Sequence, residues 1–403
     1  MSTAAGRILY LALADARGHL MRATLLSRAL GEAGFTVEVV TTAREGVCFL
    51  ASMNVPSRLL SEHFRVEFGD RHDMSRSRTD ARIFNYLVLP WRALADLRRL
   101  EVLARGADLV VNDSLHPALL LAPALGFPHR VVQVYGENLW RAMEDNLDHR
   151  APTWVADRYR RALRAVRDRA FARIIHTLGS TEHEPDGSPR TYRLAPIVAR
   201  PRRTRAQVRA ELGVPQGVPL AAVYLNPHFK DPSIALALED GLGRQGFRAH
   251  AVGEGYRARP GWVGTDGHFG DVVHAAELFV SGAGMGALEL ARSSGTPLLV
   301  LLGDQPEQAR NVAELMRRSP DFALRSVLVG DPDLPSAIAT AAADLTARGR
   351  APSPPRSGDE QPWVKAFEEL VRAARAPASA RRRAFPRPRA ALGPGVASPP
   401  PAL

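Results

Sequence analysis

The stretch Leu278-Phe279-Val280-Ser281-Gly282-Ala283-Gly284-Met285-Gly286-Ala287-Leu288-Glu289 changes character twice. An apolar run ends at Ser281, glycines recur through Gly286, and a helical pattern follows. That is a buried strand passing through a Gly-rich loop into a helix, the unit from which parallel α/β sheets are built. Such a loop turns backbone N–H groups and a helix N-terminus toward the strand end, and can hold a diphosphate without a metal. Glu289 falls one turn inside the helix, where a carboxylate can accept from ribose hydroxyls. On these residues alone two other readings stay open: a dinucleotide-binding turn, and glycines kept small so that helix and sheet pack closely.

The same alternation runs outward in both directions. Toward the C-terminus come Ser294-Gly295-Thr296-Pro297, an apolar strand at 298–302, and Asp304-Gln305-Pro306-Glu307-Gln308-Ala309-Arg310-Asn311. That polar cluster stands at a strand end and would face the same cleft as the glycine loop. Further strands are expected at 220–225, 247–252 and 325–329. In the first half they are expected at 7–14, 35–41, 64–68, 108–112, 130–135 and 173–177, with amphipathic helices at 20–33, 81–105 and 153–172. Several strands are almost continuously apolar, as in a parallel sheet covered on both faces. The rhythm breaks between residues 180 and 216, where prolines and a basic patch at 200–209 mark the approach to a domain boundary, with a short helix near 204–212.

The expected fold is therefore α/β, with two Rossmann-like doubly wound domains, 1–200 and 201–350, facing a cleft. Residues 351–376 read as a linker and a C-terminal helix, and 377–403 as a disordered Arg/Pro-rich tail.

Composition narrows the function. The single cysteine, Cys48, excludes a disulfide framework and any Cys-rich zinc site. No apolar run is long enough to cross a bilayer, and residues 1–14 read as a buried strand rather than a signal peptide, so a cytoplasmic protein is expected. Of the net charge of +11, six arginines between 375 and 403 supply more than half. No zinc-finger, RNA-recognition or helix-turn-helix signature accompanies the charge, so no nucleic acid partner is expected. Asp331-Pro332-Asp333 spells a D-x-D, but in a polar turn far from the other motifs. Glu182-His183-Glu184 lacks a matching ligand set. No metal is assigned. The helix at 153–172 carries Arg158, Arg160, Arg161, Arg164, Arg167 and Arg169 around Val155, Tyr159, Leu163 and Val166. It reads either as a solvated basic face or as an interfacial helix making peripheral contact with anionic lipid at the inner membrane face.

In the first domain, Asp15-Ala16-Arg17-Gly18-His19-Leu20-Met21-Arg22 joins the first strand to the first helix. Gly18 suits a tight turn. His19 stands at a helix N-terminus, where the dipole disfavours imidazolium and leaves a ring able to accept a proton. A purely structural histidine is the competing reading. Asp113 ends a buried strand of the same domain. Its carboxylate can orient an imidazole, or cap the helix starting near Pro117.

Gly18-His19 followed by Arg22, then residues 281–289, Gly295-Thr296-Pro297, and Glu307-Gln308 with Asn311, together resemble the GT-B glycosyltransferases. UDP-glycosyltransferases and the N-acetylglucosaminyltransferase family of the peptidoglycan lipid precursor are the nearest in pattern. Each motif is weak alone; their order and separation through both domains carry the resemblance. It implies an inverting, metal-independent hexosyl transfer from a nucleotide-diphosphate sugar, usually UDP-linked, to an acceptor hydroxyl, with no cofactor. It places His19 as general base and Asp113 as the acid supporting it. Gly282, Gly284 and Gly286 would hold the donor phosphates and Glu289 the ribose. Gln308 and Asn311 match the polar pair contacting the donor, while Asp304 and Gln305 resemble the acid–amide pair that grips the sugar. The acceptor, whether lipid-linked, a glycan or a small molecule, is left open.

The chain departs from the pattern at Ser281, where many relatives carry histidine, and at Ala283 and Met285, where they carry glycine. The second domain opens with Tyr224-Leu225-Asn226-Pro227-His228-Phe229-Lys230. His228 and Lys230 there read either as a positive partner for the leaving diphosphate or as a plain solvated loop. Two alternatives follow from the departures and the fold. One is a catalytically degenerate GT-B partner that binds a nucleotide or a protein. The other is a nucleotide-sugar epimerase, for which the necessary carboxylates are not found.

Overall fold

Apolar runs with both faces covered form two all-parallel sheets. The first contains β1 (Gly6–Ala12), β2 (Phe35–Thr41), β3 (Ser57–Leu59), β4 (Leu109–Asp113), β5 (Val131–Gly136), β6 (Ala172–His176) and β7 (Thr191–Leu194), in the order β3-β2-β1-β4-β5-β6-β7. The second contains β8 (Leu220–Tyr224), β9 (Arg248–Val252), β10 (Trp262–Val263), β11 (Leu278–Gly282), β12 (Leu298–Leu302) and β13 (Leu324–Leu328), in the order β10-β9-β8-β11-β12-β13. The computed structural model describes residues 6–14, 17–63, 86, 90–113, 115–146, 148, 152–179, 190–303, 305–350 and 359–377. The strand expected at 64–68, residues 81–85 and 87–89 of the expected helix, the Glu182-His183-Glu184 cluster and most of the C-terminal tail lie outside them.

In each sheet the strand order reverses at one point, between β1 and β4 and between β8 and β11. The chain leaving these strands runs apart to opposite sides, and the gap at a switch point is where ligands bind in open parallel sheets. Four connections meet that description. After β1 comes α1 (Arg17–Glu32), carrying His19, and after β4 comes α4 (Pro117–Leu121), preceded by Asp113. After β8 runs the Asn226–His228 turn into α8 (Pro232–Arg244), and after β11 the glycine loop into α10 (Met285–Ser294). All five residues of β4 and of β11 are buried, so the polar residues at their ends are held by a rigid frame.

The remaining helices are α2 (Arg44–Ser52), α3 (Pro90–Leu103), α5 (Glu137–Glu144), α6 (Thr153–Arg167), α7 (Arg205–Glu211), α9 (Phe269–Ala275), α11 (Pro306–Arg318), α12 (Leu334–Arg348) and α13 (Gln361–Arg375). Among the described residues none is long and apolar enough to cross a membrane. The break expected from 180 to 216 contains one more strand of the first sheet: β7 pairs in parallel with β6, from Arg173 opposite Thr191 to His176 opposite Leu194. Four residues are too few for a period-2 pattern to stand out. The expected short helix is α7, started by a capping box in which Thr204 and Gln207 satisfy each other's backbone N–H groups. The Asp331-Pro332-Asp333 motif is spent locally: Asp331 accepts from the Asp333 N–H at 2.9 Å, and Asp333 caps α12.

Helix α13 belongs to the first lobe, although the whole second lobe separates it from that lobe in sequence. Trp363, Phe367 and Leu370 are fully buried in the core that also holds Ile8, Tyr10 and Leu26. The Trp363 indole N–H donates to the Ala195 carbonyl at 2.9 Å, and Arg375 grips Asp108 through two bonds of 2.8 and 2.9 Å. Trp363→Ala should therefore cost about 3–5 kcal/mol of stability. In urea unfolding followed lobe by lobe, the loss is expected in the first lobe, with the second little changed.

Candidate functional site

Two joined chambers open between the lobes. One is mostly apolar, walled by Met21, Leu25 and Phe49 of the first lobe and Phe269, Phe279 and Leu290 of the second. The other is polar, with His19, Arg22 and His176 on one side and the 281–287 loop, His228 and Gln308 on the other. Gly18, Ile197, Tyr224, Gly286 and Ala287 line both, so a single ligand can occupy the two. The lobes are tied across this gap. Arg17, itself buried, grips Glu254 through bonds of 2.5 and 2.7 Å. Asn138 donates to both Asn311 and Glu314 at 2.9 Å. No sequence pattern announces pairs so far apart in the chain.

The glycine loop decides one of the open readings. At Gly284 and Gly286 an added Cβ would meet nothing within 4 Å, and at Gly282 it would make only ordinary contacts. None of the three has a positive φ. Neither backbone conformation nor helix–sheet packing therefore requires glycine here; the space beside them belongs to the cleft. Gly284 occupies the N-cap of α10 without a side-chain cap, so the first-turn N–H groups are left for a ligand.

The other second-lobe candidates divide. Gln308 lines the polar chamber; its amide donates to Gln305 Oε1 at 2.8 Å, while its own buried Oε1 has no hydrogen-bond partner among the described residues. That oxygen is suited to receive a ligand hydroxyl. Gln305 lines the same wall. Asn311 is engaged at both ends, donating to the Ala283 carbonyl at 3.0 Å and accepting from Asn138, so it pins the loop and the lobes together. Asp304 lies outside the described residues. Glu289 sits one turn inside α10. It is fully buried, and Arg292 takes both its carboxylate oxygens at 2.8 and 3.2 Å. Helix α10 turns Met285, Gly286 and Ala287 to the polar chamber, and Glu289 lies one turn beyond Met285 and Gly286, buried beneath that wall with its carboxylate held by Arg292. Of the pair expected after β8, His228 is buried at the chamber wall, whereas Lys230 is exposed outside it.

In the first lobe the expected imidazole–carboxylate pair takes another form. Asp113, fully buried, accepts from Arg22 Nε and Nη2 at 2.9 Å each and from the Tyr10 hydroxyl at 2.8 Å. His19 Nδ1 lies 3.6 Å from the carboxylate and 2.9 Å from Arg22 Nη2. Arg22 Nη1 reaches His176 Nδ1 at 2.7 Å. The helix cap after β4 is His116, which accepts from the Ala118 N–H, and not Asp113. Gly18 sits inside the first turn of α1 with no positive φ, and a Cβ there would meet nothing. It leaves room at the cleft instead of making a turn. His176 went unread in the sequence; the available signal was a polar residue ending an apolar strand, the same that drew attention to Asp113.

On α6, Arg160 pairs with Asp148 and Asp157, Arg164 with Glu144, and Arg167 with Asp168, so much of that basic face is matched by acids.

Burial pushes the His19 imidazole down to about 4, against the pull of Asp113 and with help from Arg22. Burial first, then Arg22 and His19, hold His176 well below the ordinary value. Burial likewise brings His116 to about 4. All three are neutral at pH 7, His19 less through the helix dipole than through desolvation. Each ring gains protons more readily unfolded, near 6.5, than folded, so its contribution to stability is complete above about pH 6.5 and is lost as pH falls toward 4. For His19 and His116 the loss is on the order of 3 kcal/mol each. Urea midpoints between pH 7.5 and 4.5 should fall accordingly, and His116→Gln should flatten the slope even though it costs a cap.

No protein-family model and no curated protein sequence matches the chain. Solved structures do. The calicheamicin glycosyltransferase CalG4 is 17% identical over 95% of this chain and 98% of its own, with a TM-score of 0.53. SsfS6 of Streptomyces sp. SF2575, complexed with thymidine diphosphate, is 16% identical over 90% and 99%, with a TM-score of 0.54. UGT89C1 of Arabidopsis thaliana, complexed with quercetin, is 12% identical over 92% and 94%, with a TM-score of 0.57. At such identities the likeness is one of architecture: two Rossmann-like domains facing a cleft, the fold of the GT-B glycosyltransferases.

Proposed function

We propose that the chain is a metal-independent, inverting glycosyltransferase that takes its sugar from a nucleotide-diphosphate donor, UDP-linked in the first instance. The observation that carries this reading is the glycine loop, where side chains at Gly284 and Gly286 would meet only cleft space, in the same chamber as His19. The nucleoside would lie in the apolar chamber between Phe269 and Phe279 and the first lobe. Its diphosphate would meet the N–H groups from Gly282 to Ala287, and its sugar the Gln305–Gln308 wall. Attack by the acceptor opposite the diphosphate inverts the anomeric carbon in a single displacement. As the C–O bond breaks, charge grows on the diphosphate, and fixed amide dipoles in a water-poor gap stabilise it without reorganising. The interlobe bonds of Arg17 and Asn138 keep that gap closed while the transfer proceeds. That SsfS6 was solved in complex with thymidine diphosphate and UGT89C1 in complex with quercetin supports a nucleotide diphosphate and a small-molecule partner as ligands of this fold.

A binding protein without turnover is the second reading. It is favoured by Ser281 in place of an imidazole and by Glu289, buried and engaged by Arg292.

Melting scans with UDP, dTDP and GDP should show a rise of several degrees with a pyrimidine diphosphate near 100 times its Kd, about 2.7 kcal/mol of linkage. Gly284→Ala and Gly286→Ala should fold normally, the latter gaining roughly 0.5–1 kcal/mol of helix propensity, yet bind the nucleotide at least about tenfold more weakly. Wild-type affinity in both variants would remove the loop from the site. Binding without nucleotide release from any sugar donor would favour the second reading.

A further inference from the structure

The outer helix layer of the first lobe departs from the usual division of a surface helix into an apolar inner face and a polar outer one. Leu9, Leu11 and Val131 of the first sheet pack on Leu100 of α3 and Leu119 of α4. Tyr135, four residues beyond Val131 in β5 and so on the same face, packs with Ile175 on Leu120 of α4 and Leu163 of α6. Helices α3, α4 and α6 thus lie abreast on one face of the sheet, with α4 touching both neighbours. Their outward side carries Trp91 (61% exposed), Leu94 and Val102 of α3, Leu125 in the turn after α4, and Trp154 (70% exposed) of α6. Leu59, at the neighbouring sheet edge, lines one groove with Val102. The exposed large apolar residues of the second lobe, Leu236, Val263 and Leu328, stand instead on three separate elements.

Charge accompanies these side chains. Trp91, Leu94, Arg98 and Val102 follow one another at helical spacing in a single stripe along α3, and Trp154, Arg158 and Arg161 do the same on α6. Arg92, Arg98 and Arg105, with Arg158, Arg161 and Arg169, are exposed and form no ion pair with an acid among the described residues. Few acids oppose them: Asp96 of α3 is buried, Asp157 of α6 is taken by Arg160 and Asp168 by Arg167, which leaves Glu101. Three helices abreast make a surface about 20 Å in each direction. A second copy of the chain, docked through the same face, would set arginines against arginines. A lipid surface with anionic headgroups answers both features. Guanidinium groups match phosphate, and an indole, apolar with one N–H, sits well at the boundary between headgroups and acyl chains.

We propose that the α3–α4–α6 face of the first lobe docks on an anionic lipid surface, with Trp91, Leu94 and Trp154 entering the headgroup boundary and the exposed arginines meeting lipid phosphates. The two signals act together. Each arginine close to such a surface strengthens binding about fivefold, an effect that salt screens. The apolar side chains supply the part that salt leaves. Docking of this kind does not depend on glycosyl transfer in the cleft.

Flotation of the full chain with vesicles tests this, using phosphatidylcholine alone and phosphatidylcholine mixed two to one with phosphatidylglycerol. The chain should float with the mixed vesicles and stay behind with the neutral ones, and brominated lipid should quench its tryptophan fluorescence. Arg98→Glu with Arg158→Glu should weaken binding at least about 25-fold, fivefold for each arginine. Trp91→Ser with Trp154→Ser should abolish the quenching and leave only binding that salt removes. All four positions are exposed, so both double variants should melt with the wild type, which a thermal scan checks. Failure to float with the mixed vesicles overturns the assignment. So does flotation that neither double variant weakens, which would move the contact to the arginines of the C-terminal tail. Light scattering that shows a dimer, lost in the tryptophan variant, would make this face a contact between copies and overturn it equally. Vesicle binding in a chain that binds no nucleotide would leave the lipid surface standing and remove the transferase reading.

Discussion

One buried guanidinium organises the first lobe's side of the cleft. Arg22 reaches Asp113 through two bonds and His19 and His176 through one each. Removing a cation from water is costly, and the bidentate carboxylate offsets that cost only because its geometry is good and Tyr10 supplies a further donor. The arrangement is all-or-none: taking away either charge strands the other in the core, typically at a cost of 3–5 kcal/mol. Because β1, α1, β4 and β6 all contribute to it, the network also fixes how the strand ends of the first sheet present themselves. Two neutral rings held against one guanidinium are the consequence.

The second lobe answers with a different device. Its donors are backbone amides, held at the end of a fully buried strand and the start of an uncapped helix. Asn311 ties the Ala283 carbonyl to Asn138 of the first lobe, so the loop's shape and the lobes' separation depend on one side chain. Arg17 and Glu254 make the corresponding tie beside the apolar chamber. The second-lobe wall of the polar chamber thus offers backbone amides, with Gln308 Oε1 and the Glu307 carboxyl beside them. A diphosphate flanked by a hydroxyl-bearing sugar matches that distribution.

Much of the framework was legible from the residue order. Apolar runs bounded by polar ones located most strands of both sheets within a residue or two, since a strand covered on both faces has little choice of composition. The glycine loop was legible as an open strand-to-helix connection, because glycines at alternate positions after a strand leave no side chains there. Short edge strands were not legible: β3, β7 and β10 have too few residues for a period to show. The lobe to which α13 belongs was equally hidden, because an amphipathic face records that a helix is covered and not by what.

The sequence by itself determined the two-sheet plan, the switch-point loops and the residue types that line them, because burial and turn chemistry act on neighbours in the chain. Only the tertiary structure decided what those residues do to one another. Glu289 is held by Arg292, and Asp113 is held by Arg22 and Tyr10 with His19 3.6 Å away. His176, from a strand 154 residues beyond Arg22, completes the network. Hydrogen-bond partners are chosen by distance in space, and a side chain with several donors takes whichever acceptors the packing brings within about 3 Å.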